Sequence, residues 1–165
     1  MSVLLILHVA ISLIGIVTGF VVAAGFLRRR GFCGWNAVFL ATTIATSVSG
    51  FLLPADRFLP SHAVGILSLV ALAAAVVARY RYQLRGAWRP VYIVTALVSQ
   101  YFNVFVLVVQ MFQKIPILRA LAPTQTEPAF AVAHLVVFAA FVVLGRLSLQ
   151  RAGRLPIADK SPVLP

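Results

Sequence analysis

The sequence predicts an all-α integral membrane protein, a bundle of five transmembrane helices with the N-terminus outside and the C-terminus cytoplasmic. Three observations predict it. The 165 residues are 62% hydrophobic and only 10% charged, with a mean hydropathy of +1.02, whereas soluble domains carry about 25% charged residues. Five apolar stretches, 2–27, 34–53, 61–82, 89–112 and 128–149, are each long enough to cross a hydrocarbon core roughly 30 Å thick. The basic residues fall between these stretches and crowd onto one side. With the N-terminus outside, Arg28, Arg29, Arg30, Arg79, Arg81, Arg85, Arg89, Arg146, Arg151, Arg154 and Lys160 are inside, against Arg57, Lys114 and Arg119 outside. Eleven against three satisfies the positive-inside rule and predicts a multi-pass protein of a bacterial inner membrane.

The net charge of +11 would point to nucleic acid in a soluble protein. Here it marks topology and attraction to anionic lipid, so the bilayer is the expected partner and nucleic acid is not. One cysteine, Cys33, excludes an internal disulfide and a Cys-based metal cluster, and is expected as a reduced cytoplasmic-side thiol. The first apolar run has no Lys or Arg before it and three arginines after it. A cleavable signal peptide has the opposite polarity, so this run is expected to stay as a helix.

In the first span His8, Ser12, Gly15 and Gly19 share a helical face, with Gly15 and Gly19 as a small-xxx-small pair that lets another helix approach. The second span holds Thr42, Thr43, Thr46, Ser47 and Ser49, hydroxyls expected to bond mostly to their own helix. The third opens at Pro60, Ser61 and His62, with Ser61 in a capping position, and continues through Gly65, Ser68 and an alanine-rich middle. The fourth carries a seam of Tyr92, Thr95, Ser99, Asn103, Gln110 and Lys114 at steps of three, four or seven. Lipid cannot satisfy such groups, so this helix is expected at the centre of the bundle with Asn103 between helices. The connection over 113–128 alternates apolar and basic residues and is expected to lie in the headgroup region. In the fifth span Glu127, Ala131, His134 and Phe138 share a face. Residues 1–150 form the membrane domain and 151–165 a flexible cytoplasmic tail.

All three histidines fall in the outer half. His8 and His134 each lie about six residues inside a helix start, hence level and roughly 9 Å deep. His62 sits higher, at a helix mouth with Asp56, Arg57, Gln110, Lys114 and Glu127. An ionisable residue within a span marks a functional-site hypothesis. His8 and His134 suit the two axial positions of a haem b, with Arg57, Lys114 or Arg119 for the propionates. His8, His62 and His134 together suit zinc, copper or iron. A quinone head group hydrogen-bonded by a histidine and Asn103 or Gln110 is the third possibility. Against these stands a purely structural role, each imidazole bonding one neighbouring helix.

No Cys-x-x-Cys, His-Glu-x-x-His, glycine-rich phosphate loop or paired intramembrane carboxylates occur, and no catalytic residue is assigned. The chain therefore reads as a small-molecule or redox binding module with its site in the outer half. The alternative is a non-enzymatic accessory or assembly subunit of a larger membrane complex, or a homo-oligomer. A transporter or channel is the weaker alternative, because inward of Asn103 the seam offers only Ser99, Thr95 and Tyr92.

Overall fold

The computed structural model describes residues 3–28, 33–53 and 60–153; the side chains of Cys33 and Pro60 lie outside the description. Arg29, Arg30, Asp56, Arg57, Arg154, Asp159, Lys160 and the tail beyond Gly153 also lie outside it. The described chain is helical. α1 runs Val3–Arg28 and α2 Cys33–Leu52. α3, Pro60–Val76, passes directly into a π-helical turn, Val77–Arg81. α4 spans Trp88–Lys114, α5 is a short helix Pro116–Leu121, and α6 spans Pro128–Gly153. Five of these helices are long and apolar enough to cross a membrane. α3 begins on Pro60, whose fixed φ suits a first helical position, so Ser61 lies inside the first turn rather than at the cap. Residues 151–153, expected in the tail, continue α6.

α4 packs against α1, α3 and α6, while α2 packs against α1 and α3. Both tryptophans stand at the first turns of α2 and α4, at the end of the bundle that also carries Arg28, Arg79, Arg89 and Arg151. We call this the basic end and the other the histidine end.

Packing is very uneven along the bundle. Every buried residue of α1 lies between Gly15 and Gly25. The larger core cluster joins Val22, Phe39, Leu40, Leu72, Ala75, Ala78, Tyr92 and Ala96, and a smaller one joins Ala23, Ile93 and Leu97. Toward the histidine end the only buried apolar side chains among the described residues are Val104, Phe112 and Ala122. The difference follows from residue size. Gly15, Gly19, Ala23, Ala75, Ala78 and Ala96 let backbones approach in the basic half, where close van der Waals packing drives helix association in lipid.

The closest approach is polar. Gln100, 1% exposed, lies across Gly19, and its Nε2 donates to the Ile16 carbonyl at 2.9 Å. A Cβ on Gly19 would fall 1.9 Å from Gln100 Oε1, a distance no side chain tolerates. One turn further along α4, Asn103 Nδ2 donates to Thr43 Oγ1 at 3.3 Å, with Gln100 Oε1 at 3.5 Å. A Cβ on Gly15 would in turn meet the Thr42 and Thr43 hydroxyls at 3.3 Å. Two amides, two glycines and a threonine thus lock α1, α2 and α4 together. Asn103 is between helices, as its place in the seam implies. The seam is not buried throughout: Gln110 and Lys114 are exposed.

The remaining hydroxyls are largely self-satisfied. Thr18, Thr42, Thr95 and Ser99 each donate to a carbonyl three or four residues earlier in the same helix. Ser47 reaches across to Ser68 Oγ at 3.4 Å, one hydroxyl contact between α2 and α3.

Gly19→Ala should destabilise the protein by about 1–3 kcal/mol, the usual cost of overpacking. Gln100→Ala in the same chain removes the clash, so the double variant should lose less than the sum of the two single losses. Thermal unfolding in detergent of the two single variants and the double checks this. Additive losses would show that Gly19 and Gln100 do not meet.

Candidate functional site

The three histidines stand on three different helices, and each is held by a different neighbour. His8 Nδ1 lies 2.8 Å from Ser49 Oγ on α2. Ser49 Oγ also lies 3.2 Å from the Thr46 carbonyl, so its one proton serves either that carbonyl or the imidazole, and the direction of the His8–Ser49 bond follows the His8 tautomer. Ser12 Oγ donates to the His8 carbonyl. A Cβ on Gly50 would stand 3.6 Å from His8 Cε1, so α1 and α2 remain close here. His8 extends the Gly15 and Gly19 face toward a neighbour, which is where that stripe puts it.

His134 Nδ1 lies 3.0 Å from the Phe130 carbonyl. A carbonyl only accepts, so His134 carries its hydrogen on Nδ1. Its Nε2 is buried and has no hydrogen-bond partner among the described residues. The ring is flanked by Phe105 of α4, with centroids 4.4 Å apart, and by Phe130, at 4.2 Å. Tyr101, Phe102, Phe105, Phe138 and Phe141 continue this aromatic contact between α4 and α6. His62 stacks on Phe51 of α2, with centroids 5.4 Å apart and planes 23° from parallel.

The structure therefore does not gather the expected constellation. Among the described residues no three of His, Cys, Asp and Glu come together as metal ligands. His8 engages α2, His134 lies against α4, and His62 lies between α2 and α3. Direction round each helix turns the three rings to separate partners. Asn103 is committed to Thr43 and Gln100, toward the middle of the bundle. Gln110 is exposed, as are Lys114 and Arg119. Nothing in this arrangement supports a metal or haem shared by His8, His62 and His134.

His134 nevertheless presents Nε2 as a lone pair, with Nδ1–H held by the Phe130 carbonyl. That is the tautomer a metal-ligating or hydroxyl-accepting imidazole uses.

The connection between α4 and α6 is built around Glu127. Its Oε1 accepts from the Thr124 amide at 3.0 Å and the Thr124 hydroxyl at 2.9 Å, and its Oε2 from the Thr126 amide at 3.0 Å. Gln125, in the left-handed region at φ 61°, sends Nε2 to the Val109 carbonyl at 3.3 Å, tying the turn to α4. α5 lies exposed, with Ile117 75% accessible. Glu127 is thus a structural residue of this turn, a role its helix-face position does not reveal. Reasoning from the sequence also passes over Gln100 and Phe105, and names Ser49 only among the hydroxyls expected to bond mostly to their own helix. Gln100 is one residue from the seam at Ser99, and only the glycine facing it distinguishes the two.

No protein-family model, curated protein or solved structure significantly matches the chain.

The Glu127 carboxyl is slightly desolvated, which raises its pKa, but the hydrogen bonds from Thr124 and Thr126 outweigh this and hold it below the ordinary glutamate value. A lowered folded-state pKa contributes stability above the unfolded value and loses it as pH falls through the folded one. The turn at 124–127 should therefore be ordered at neutral pH and loosen below the ordinary carboxylate range. Amide exchange of Thr124 and Thr126, corrected for intrinsic rates, checks this. Glu127→Gln should abolish the pH dependence, and unchanged protection in acid would remove the assigned role.

Proposed function

We propose that the chain is a non-enzymatic accessory or assembly subunit of a larger membrane complex, set in a bacterial inner membrane with its N-terminus outside and its C-terminus cytoplasmic. The eleven-to-three distribution of basic residues supports the orientation. One observation carries the functional reading: the polar groups at the middle of the bundle are spent on holding α1, α2 and α4 together, while α6 is left almost unembedded. Of its 26 residues only Ser148 is buried. It meets α4 along one side, through Phe130, His134, Phe138 and Phe141 and through Leu97 near Gly145, and meets α1 where Arg151 donates to the Leu27 carbonyl. Its other sides expose Leu135, Val136 and Val143. In lipid, helices associate through packing and polar contacts rather than through the hydrophobic effect. A helix with so little packing inside its own chain is suited to complete its packing against another.

The Nδ1–H of His134, held by the Phe130 carbonyl, favours a second reading. Its Nε2 lone pair suits an axial position on haem b, a divalent metal or the hydroxyl of a reduced quinone, bound at one histidine rather than between two.

Gentle extraction from native membranes, followed by native electrophoresis and absorption spectra before and after dithionite, separates these readings. The accessory reading expects a discrete assembly of fixed stoichiometry, dissociated by a bulky or charged replacement at Leu135 or Val136, and no haem band. A single dispersed chain would contradict it. A reduced haem band lost in His134→Ala would establish the second reading instead.

A further inference from the structure

At the histidine end one buried polar atom has its chemistry fixed by its neighbour. His134 Nδ1 faces the Phe130 carbonyl at 3.0 Å. That oxygen can only accept, so in the neutral ring Nδ1 holds the hydrogen and Nε2 holds a lone pair. Nε2 is buried with no hydrogen-bond partner among the described residues. A buried acceptor without a donor has lost its hydration and gained nothing in exchange, which makes it the place to look for a bound donor.

The surroundings of this atom are aromatic. Phe105 of α4 and Phe130 of α6 stand against the imidazole, with centroids 4.4 and 4.2 Å away and planes at 63° and 49°. Phe112 meets Phe130 edge-on at 5.3 Å, and one turn further along α4 Tyr101 meets Phe138 and Phe141 at 5.8 and 5.7 Å. Rings packed edge to face accept a further planar ring in the same geometry. The approach to them is from the side. Leu135 and Val136, next to His134 on α6, are 65% and 61% exposed, and Ser148 is the only buried residue of that helix. Few contacts therefore have to open for α6 to yield beside Phe105, and a molecule dissolved in a hydrocarbon layer meets the seam laterally.

The lone pair decides what can bind. A quinone carbonyl would set acceptor against acceptor, whereas the hydroxyl of a phenol or hydroquinone donates. An aliphatic alcohol also donates, but it lacks the plane that the surrounding rings pack on. A metal ion needs further ligands, and among the described residues no three of His, Cys, Asp and Glu come together to supply them. We propose that His134 and the rings around it bind a lipid-soluble phenol or hydroquinone through its hydroxyl, and discriminate against the corresponding quinone. The proposal rests on the reading of His134 as a ligand-binding residue and narrows the ligand to one class.

The test is binding to the full-length protein in neutral detergent, without oxygen, of decyl-trimethylhydroquinone, the matching benzoquinone, the hydroquinone dimethyl ether and decanol. Full ring substitution keeps the quinone from adding to Cys33. Nitrogen NMR of the histidine rings reads the contact directly: the hydroquinone should shift the resonance of the unprotonated His134 nitrogen. It should also bind about tenfold more tightly than the quinone, the ether or decanol. His134→Ala should erase that preference, and Phe105→Leu, which keeps an apolar wall but removes a ring, should weaken hydroquinone binding by about threefold. The nitrogen shift is read in the unsubstituted chain, so the decision does not depend on how a variant folds. Equal affinity for hydroquinone, quinone and ether, or a His134 resonance indifferent to the hydroquinone, overturns the proposal. A haem or metal band that depends on His134, without a hydroquinone preference, also overturns it while leaving His134 a ligand-binding residue; the absence of both removes that reading as well.

Discussion

The side chain of Gln100 laid across Gly19 is the constraint on which the rest of the bundle depends. A glutamine in the middle of an apolar helix is costly in lipid unless its amide is satisfied. Here the Ile16 carbonyl accepts from its Nε2 and Asn103 Nδ2 donates to its Oε1, and the missing Cβ of Gly19 leaves the space it fills. Satisfying one amide brings α1 against α4. Asn103 then reaches Thr43 and brings in α2. Once these three helices are fixed at mid-bundle, the alanines toward the basic end pack at short range, and both core clusters form on that side.

The same constraint shapes the histidine end. Few side chains are buried there, and His8, His62 and His134 are held by separate neighbours rather than by a common core. The basic end is the better-organised half, with buried Tyr92 and Asn36, a stacked Tyr82 and Trp88, and three arginines at one cleft. The chain thus combines a rigid basic half with a loosely packed histidine half and a sixth helix that is embedded on little of its surface.

Much of this was legible in the sequence because hydrophobic length and helical spacing are local. The five spans, the central place of α4, the inward-facing stripe of His8, Gly15 and Gly19, and the interhelical position of Asn103 all follow from residue counts. Convergence is not a count. It depends on which helix stands beside which, and Ser49 and Phe105 turn His8 and His134 to different partners. Gln100 escapes notice because it lies one residue from a regular seam, and its significance arises only from a glycine 81 positions earlier. The π turn at Val77–Arg81 contains no proline or glycine to announce it, so the placing of Arg79 beside Arg89 and Arg151 is visible only in three dimensions.

Residue-resolved amide exchange on the intact protein in detergent, with and without Gln100→Leu, tests the central claim most directly. The account predicts slow exchange over Gly15–Gly25 of α1 and Tyr92–Gln100 of α4, and faster exchange over 3–14 and 128–140. It also predicts that Gln100→Leu accelerates the slow segments while leaving the histidine end nearly as it was. Uniform protection along α1, or slow segments indifferent to the substitution, would contradict it.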